Sequence, residues 1–183
     1  MSLAGFSFSR CDAASARPIV DDLVRVYREV YADGGEFDSE ERYREQLDGH
    51  MGRAGWELVA AWAGGDLAGY VYGFPLARDS RWWRGLLTPA GAGAIEETGS
   101  RTFALCELMV RASWRGRGLG HALHDEILAR REEERATLLV EPDNGFAVAA
   151  YTRWGWERFG KLKPGWDGAP EFDALILPLG ARW

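Results

Sequence analysis

The sequence predicts a mixed α/β fold, in which helices flank a central sheet. Three observations favour this class: two helical patterns open the chain, a hairpin pattern follows, and alternating strand and helix patterns lead to two closing strands. Strands that alternate with helices place those helices on the faces of a sheet. The 183 residues suffice for one domain with a sizeable core. We therefore expect a single domain over residues 1–183, with its core at about residues 6–179.

The first half of the chain begins with two predicted helices. Apolar residues recur at helical spacing over 18–31, behind a proline at the first-turn position. A second helix is expected near 39–51, where Asp38 and Glu41 have the spacing of a capping box.

A predicted hairpin and an irregular segment follow these helices. Residues 56–63 and 67–74 are rich in aromatic and β-branched residues on either side of a short gap, which is typical of a β-hairpin. Residues 75–101 are long for a loop, so we expect a short helix or a functional lid there.

The second half predicts two strand–helix pairs and two final strands. Residues 102–110 form a continuous apolar run interrupted by one charge, Glu107, which is typical of a buried strand. The helix after it has apolar residues at positions 119, 122, 123, 127 and 128. The remaining elements are a strand at 137–141, a helix from Asn144 to Trp154 stopped by Gly155, and strands at 156–162 and 171–179.

Composition and charge exclude several classes of protein. Hydrophobic residues make up 46% and charged residues 27% of the chain, as in ordinary soluble globular proteins. The net charge of −6 argues against nucleic-acid binding, since that function needs a basic face. No apolar run approaches the roughly 20 residues of a membrane span, and no secretory signal is recognisable. Because Cys11 and Cys106 form no disulfide framework, we expect a cytoplasmic protein. From the charge and the apolar pattern, we expect neither nucleic acid nor membrane as a partner.

The stretch Ser113–Leu123, SWRGRGLGHAL, has the features of a phosphate-binding turn between a strand and a helix. Unpaired N–H groups and the dipole at a helix start favour an anion, and glycines allow its close approach. Arg115 and Arg117 add positive charge. The dinucleotide fingerprint does not fit, because His121 stands where its third glycine belongs, and no P-loop lysine follows. The alternative to a phosphate site is a plain glycine-rich surface turn.

Two motifs in this chain resemble those of the GNAT superfamily of N-acetyltransferases. Arg115, Gly118 and Gly120 match the pattern Q/R-x-x-G-x-G/A, and the Val110–Arg111 pair before them also fits. A downstream pattern, N-x-x-A-x-x-x-Y-x-x-x-G-F, is matched with Trp in place of Phe by Asn144, Ala147, Tyr151, Gly155 and Trp156. The order of elements is similar over essentially the whole chain. The resemblance implies the GNAT fold, acetyl-CoA as cosubstrate, and acetyl transfer to a primary amine of a small molecule.

The resemblance also implies where acetyl-CoA would bind. The backbone of Leu108, Met109 and Val110 would pair with the pantetheine arm, and one amide would polarise the acetyl carbonyl as an oxyanion hole. Asn144 would bond the cofactor arm, or would only cap its helix. The pyrophosphate would be held by the residues of the glycine-rich turn, Arg115, Gly116, Arg117, Gly118, Leu119, Gly120 and His121.

Two side chains are candidates for the chemistry, which we expect to be direct attack in a ternary complex. An amine at neutral pH is mostly ammonium and must lose a proton, and Glu107, a carboxylate in an apolar strand, is the candidate general base. Tyr151 is the candidate general acid for the departing thiolate. The alternatives are a structural carboxylate and a tyrosine that only packs in the core.

Several alternatives stay open at this point. Cys106 is expected in the core rather than as a nucleophile, and His121, His124 and Asp125 lack a further ligand cluster, so no metal site is expected. The acceptor would contact residues 33–43 or 74–87, and a homodimer is left open. The alternative functions are transfer from another acyl-CoA or to another nucleophile, a non-catalytic acyl-CoA sensor, and an interaction module.

Overall fold

The structure is a computed structural model that describes residues 3–32, 39–165 and 168–180. The strands are β1 (Phe6–Cys11), β2 (Glu57–Ala63), β3 (Asp66–Pro75), β4 (Thr102–Val110), β5 (Arg135–Val140), β6 (Glu157–Leu162) and β7 (Phe172–Pro178). The helices are α1 (Ala13–Ala16), α2 (Val20–Val30), α3 (Glu40–Met51), α4 (Ala92–Ile95), α5 (Leu119–Leu128) and α6 (Gly145–Arg153). Among these described residues, no helix is both long enough and apolar enough to cross a bilayer.

The strands form one seven-stranded mixed sheet in the order β1-β2-β3-β4-β5-β7-β6. β4 and β5 run parallel, with Thr102 opposite Arg135. The pairs β1–β2, β2–β3, β5–β7 and β6–β7 are antiparallel. The mixed α/β class and the hairpin of β2 and β3 are confirmed.

The chain forms two compact units, and strand β4 contributes to both. The first unit comprises Met1–Phe74 and Leu105–Arg130, and the second comprises Pro75–Ala104 and Arg131–Trp183. Thus the first three residues of β4 belong to the second unit and the remainder to the first.

The first unit packs helices α2, α3 and α5 with the strands. The rings of Tyr27 on α2 and Tyr43 on α3 stack with centroids 3.9 Å apart. α3 buries residues one turn apart, Tyr43, Leu47 and Met51, as its apolar spacing requires. α5 packs against β2 and buries its apolar stripe, so the helix patterns read from the sequence correspond to buried faces.

Two features of the first unit differ from the expectation. Strand β1 was not predicted, although its sequence FSFSRC begins with polar–apolar alternation and pairs Phe6 with Ala63 of β2. The N-cap of α3 is Ser39, whose hydroxyl accepts a hydrogen bond from the Arg42 amide at 3.4 Å. The expected cap, Asp38, lies outside the described residues.

In the second unit, the irregular segment 75–101 holds the four-residue helix α4 and also pairs with β6. The Leu87 amide donates to the Lys161 carbonyl at 2.8 Å, and the Lys163 amide donates to the Gly85 carbonyl at 2.9 Å. A Cβ at Gly85 would lie 1.8 Å from the Lys163 oxygen, so only glycine allows this approach. Residues 85–88 therefore cover the outer edge of the sheet, which would otherwise present unpaired backbone groups.

A buried carboxylate ties this segment to the beginnings of β4 and β5. Glu97 Oε1 accepts hydrogen bonds from Trp83 Nε1 at 2.8 Å, Thr102 Oγ1 at 2.9 Å and Arg135 Nη2 at 3.2 Å. Because a buried charge is costly without partners, these three donors are what makes its burial tolerable.

Candidate active site

The glycine-rich turn begins where β4 ends, in the first unit. A short 3₁₀ turn, Ala112–Trp114, leads to Gly116 at φ +73° and to Gly118 at φ +84°, the N-cap of α5. Both φ values lie in the left-handed region, where glycine is favoured. The motif leaves position 116 unconstrained, but the backbone there requires a glycine as much as position 118 does. Gly120 lies inside α5.

The amides at the start of α5 face open space. A Cβ placed on Gly116 or Gly118 would meet no atom within 4 Å, and no side chain described in the structure caps the N-terminus of α5. An uncapped helix N-terminus has donors available for an anion. The turn therefore fits a phosphate group, and the residues that the motif assigns to the pyrophosphate of acetyl-CoA lie together in it.

Side chains around the turn fix its conformation. Arg111 Nε contacts Glu29 Oε2 at 2.6 Å, and Arg115 Nε donates to the Val110 carbonyl at 3.0 Å. The Arg117 guanidinium carbon lies 4.9 Å from the centroid of the Trp114 ring, within the range of a cation–π contact. Arg117 is exposed, so its charge is available beside the open amides.

The two histidines on α5 both contact Asp125. His124 is buried with its Nδ1 2.9 Å from Asp125 Oδ1, and His121 Nε2 lies 3.5 Å from Asp125 Oδ2. Atoms of the three side chains that could bind a metal lie within 4.8 Å of one another. The sequence analysis named these three residues without a further ligand cluster, and the structure places Asp125 in contact with both histidines.

Glu107 projects from β4 toward helix α3. Its Oε1 accepts a hydrogen bond from Gln46 Nε2 at 2.8 Å, and its side chain is half-buried. Met109, two residues on, contacts Tyr70 on β3, whose hydroxyl lies 3.2 Å from the Met109 sulfur. Glu107 and Met109 thus lie on the same face of β4, as strand alternation predicts.

Buried tyrosines lie close to Glu107. The Tyr43 and Tyr70 hydroxyls are 2.5 Å apart, and Tyr72 contacts His50, whose Nδ1 is 3.3 Å from the Tyr72 hydroxyl. Burial raises the pKa of Tyr43, Tyr70 and Tyr72 well above the usual value, and the charge of Glu107 raises each further. All three phenols therefore stay protonated at neutral pH.

Two further titratable groups near this cluster are neutral. Burial lowers the pKa of His50 to about 4, helped by the charge of Arg53. Burial also raises the pKa of the Cys106 thiol well above its usual value, and the charge of Glu107 acts in the same direction. A protonated thiol is a poor nucleophile, which argues against catalysis by Cys106, although the residue is half-buried and not part of the fully buried core as expected.

The downstream motif lies on helix α6 of the second unit. Asn144 caps the helix, because its Oδ1 accepts from the Ala147 amide at 3.1 Å. Tyr151 is half-buried, with its ring edge-on to Trp154 and Trp156 at centroid distances of 5.5 and 5.8 Å. Since Asn144 and Tyr151 are seven residues apart, both lie on one side of the helix.

The end of α6 explains the glycine and the tryptophan of that motif. Gly155 has φ +90°, the Trp156 amide donates to the Tyr151 carbonyl at 3.0 Å, and the Gly155 amide donates to the Thr152 carbonyl at 3.1 Å. These two bonds form a Schellman motif, which ends a helix and favours glycine. The predicted stop at Gly155 is confirmed.

Sequence reasoning missed the partners of Glu107, which are Gln46, Tyr43, Tyr70 and Tyr72. Tyr70 and Tyr72 alternate along β3, and Tyr43, Gln46 and His50 recur at helical spacing on α3. Those periodicities indicate shared faces. They do not show which faces meet, because Gln46 and Glu107 are 61 residues apart.

The chain matches the family model described as the Acetyltransferase (GNAT) family over residues 19–156. Comparison of the sequence with curated proteins gives no match. The similar solved structures include aminoglycoside 6'-acetyltransferase type Ii, at 17% identity and a TM-score of 0.63, over 97% of this chain and 99% of that one.

Two other similar structures carry further descriptions. The PaiA N-acetyltransferase from Thermoplasma acidophilum, in complex with coenzyme A, shares 15% identity, with a TM-score of 0.59 over 97% of this chain and 99% of that one. The ribosomal-protein-S18-alanine N-acetyltransferase from Escherichia coli shares 15% identity, with a TM-score of 0.62 over 97% and 96%. At these identities the similarity shows a common fold.

Proposed function

Because the chain belongs to the GNAT family of acetyltransferases, we propose that it transfers an acetyl group from acetyl-CoA to a primary amine of a small molecule. The observation that carries this proposal is the position of Glu107. It is a half-buried carboxylate on the strand that leads directly into the open glycine-rich turn, within one compact unit. We also propose that residues 1–183 form a single acetyltransferase domain, because β4 contributes to both compact units.

Residues of the turn and of β4 would hold the acetyl donor. The open amides around Gly116 and Gly118 suit its pyrophosphate, with Arg117 beside them, and the backbone at Leu108, Met109 and Val110 would pair with the pantetheine arm. Asn144 would contribute through its Nδ2, since its Oδ1 caps α6. When bound, acetyl-CoA supplies the thioester whose acyl group is transferred.

Glu107 and Tyr151 would manage the protons. Glu107 takes a proton from the acceptor ammonium, which leaves a lone pair on the nitrogen, and releases that proton to solvent. The amine then forms the C–N bond while the C–S bond breaks. The electron pair of the C–S bond stays on sulfur. Tyr151 donates its hydroxyl proton to that sulfur. The nitrogen loses its second proton to solvent, and solvent returns a proton to the Tyr151 oxygen. The products are an amide, free coenzyme A and one net proton.

A small acceptor is favoured over a polypeptide by the surroundings of Glu107. The side chains around the carboxylate are core residues, since Tyr43, Tyr70 and Tyr72 are buried. A half-buried carboxylate with core residues around it suits a slender ammonium group, which gains an ion pair there. Among the similar structures, one is described as an aminoglycoside acetyltransferase and another as a ribosomal-protein acetyltransferase, so the acceptor class needs a direct test.

The test is release of free thiol from acetyl-CoA in the presence of a panel of small primary amines and of short peptides. We expect turnover with at least one small amine, and slower turnover with the peptides. In the same assay Glu107→Gln should lower kcat/KM by about 100-fold or more, as expected for loss of a general base. Tyr151→Phe should lower kcat by about 10-fold with little change in acetyl-CoA affinity, because a thiolate is already a good leaving group.

Three outcomes would contradict parts of the proposal. Preference for the peptides would contradict the acceptor class. Faster transfer from another acyl-CoA would contradict the acetyl specificity. Binding of acetyl-CoA without turnover on any amine would instead support the acyl-CoA sensor.

A further inference from the structure

Gln46 connects helix α3 to the proposed base. Its Nε2 donates to Glu107 Oε1 at 2.8 Å, and its side chain also lies near the Tyr72 hydroxyl. Four residues later on the same helix face, His50 lies 3.3 Å from the Tyr72 hydroxyl through its Nδ1. The amide of Gln46 is therefore placed between two groups of the sheet, one on β4 and one on β3.

We propose that Gln46 is a positioning residue for the transfer reaction, because its amide holds the Glu107 carboxylate ionised and aimed at the acceptor ammonium. This inference rests on the proposed function, in which Glu107 accepts a proton from that ammonium. Gln46 itself gains and loses no proton, and the proton passes from nitrogen to the carboxylate and then to solvent.

Two physical effects support this role. A hydrogen bond donated to a carboxylate favours its ionised form, and the ionised form is the one that can accept a proton. A glutamate side chain has several rotatable bonds, so a fixed partner at one oxygen lowers the number of orientations that the other oxygen samples. Tyr72, which is buried and in contact with His50, lies beside the Gln46 side chain on the β3 side.

A pH profile can isolate Glu107 because its charged and titratable neighbours change little between pH 5 and 9. Among the described residues, those whose pKa responds to Glu107 include Tyr43 from α3, Tyr70 and Tyr72 from β3, and Cys106 from β4 itself, and the pKa of each is raised well above its usual value. Behind Tyr72, burial lowers the pKa of His50 to about 4, and Arg53 beside His50 keeps its charge throughout. These neighbours therefore do not contribute to the acid limb of kcat/KM, and a shift of that limb on substitution of Gln46 reports on the carboxyl group.

The experiment measures kcat/KM between pH 5 and 9 for the full chain and for Gln46→Leu and Gln46→Glu, with the best amine from the panel. Loss of the donated hydrogen bond in Gln46→Leu should move the acid limb up by about one pH unit and lower kcat/KM at pH 7 by about 10-fold. Gln46→Glu should move the limb at least as far, because it places a second carboxyl group against Glu107. Affinity for acetyl-CoA should stay within about 2-fold.

Glu45→Leu is the matched control, since Glu45 is the exposed neighbour of Gln46 on the same helix. Removing its negative charge would move the acid limb slightly down, opposite to the shift expected for the Gln46 variants. A wild-type acid limb in both Gln46 variants would overturn the inference, as would an equal shift in Glu45→Leu. Because Gln46 is exposed, both variants should fold, and unchanged melting temperatures check this.

The failure of this inference can be told apart from failure of the proposed function. If wild type turns over and Glu107→Gln is slow, unshifted profiles in both Gln46 variants reject the role of Gln46 and leave the proposed function intact. If Glu107→Gln keeps wild-type turnover, the base is assigned wrongly and the role of Gln46 is rejected with it.

Discussion

His50 is a residue whose protonation is coupled to folding. It lies on the inner side of α3, with its ring 5.8 Å from Tyr72 and 5.2 Å from Phe74, measured between centroids. Burial lowers its pKa from 6.5 to about 4, so the folded protein binds this proton less readily than the unfolded chain does. Stability from this site is therefore complete above pH 6.5 and is lost as the pH falls toward 4.

As the pH is lowered, we expect the free energy of unfolding of the wild type to decrease more steeply than that of His50→Leu. At pH 5.5 protonation of His50 in the unfolded chain lowers the free energy of unfolding by roughly 1 kcal/mol relative to neutral pH, and this loss grows toward pH 4. Urea denaturation at pH 7.5, 6.5, 5.5 and 4.5 checks this. The change with pH is the relevant quantity, because loss of the contact with Tyr72 shifts the variant equally at every pH. Parallel pH curves for the two proteins would contradict the assignment.

At the scale of elements, strands β3 and β4 approach each other closely at Gly69, near the candidate site. A Cβ on Gly69 would lie 2.5 Å from the Met109 oxygen and 3.2 Å from the Val110 Cα, on the side where Leu123 of α5 also lies at 3.3 Å. Met109 and Val110 are the strand residues proposed to pair with the donor. The absence of a side chain at Gly69 therefore allows β4 to lie this close to β3 at the residues proposed to bind the donor.

Gly69→Ala should displace β4 at that point. We expect a cost of about 1–3 kcal/mol, since backbone atoms cannot move aside cheaply, and weaker binding of acetyl-CoA by roughly 10-fold. Gly65→Ala is the control, because a Cβ there meets nothing within 4 Å and its hairpin turn is remote from Met109 along β3. Thermal denaturation and calorimetric titration measure both effects. Equal behaviour of the two variants would contradict the importance of this approach.

The elements with strong local signals were predicted from the sequence, and features defined by tertiary pairing were not. Apolar patterns predict α2, α5 and the hairpin, whereas cap and stop residues predict α3 and α6. The pairing of residues 85–88 with β6 depends on Gly85 meeting Lys163, which no local pattern encodes. The glycine-rich turn was found because its signal is contiguous, whereas the Gln46–Glu107 contact joins distant segments.

For the whole molecule, net charge and ligand binding are the properties that a solution experiment detects most directly. The net charge of −6 does not attract an anionic donor, so the proposed binding of acetyl-CoA would depend on local features, the helix N-terminus and Arg115 and Arg117. A ligand that binds only the folded state stabilises it by mass action.

Acetyl-CoA at about 100 times its Kd should stabilise the protein by roughly 2.7 kcal/mol, which for a chain of this length corresponds to about 5–10 °C in Tm. Gly118→Ala should lose most of this shift, because the added methyl enters the open space above the turn. Gly64→Ala is the matched control, since Gly64 also has a positive φ, +63°, with nothing within 4 Å of a Cβ. No rise in Tm for the wild type would contradict binding of acetyl-CoA and leave an interaction module as the explanation.

The Schellman motif at the end of α6 distinguishes the residues of the downstream motif that end the helix from the residue proposed to act in the reaction. Gly155 and Trp156 end the helix by backbone geometry, so a chain needs them to fold whether or not it acts on any substrate. The Tyr151 hydroxyl takes no part in that helix stop, in which the residue serves only through its carbonyl. Under the proposed role of Tyr151 as general acid, a relative that had lost catalysis would retain the Gly–aromatic ending and differ at position 151. The residue at position 151, rather than the glycine, is then the one to compare when activity is inferred from a relative.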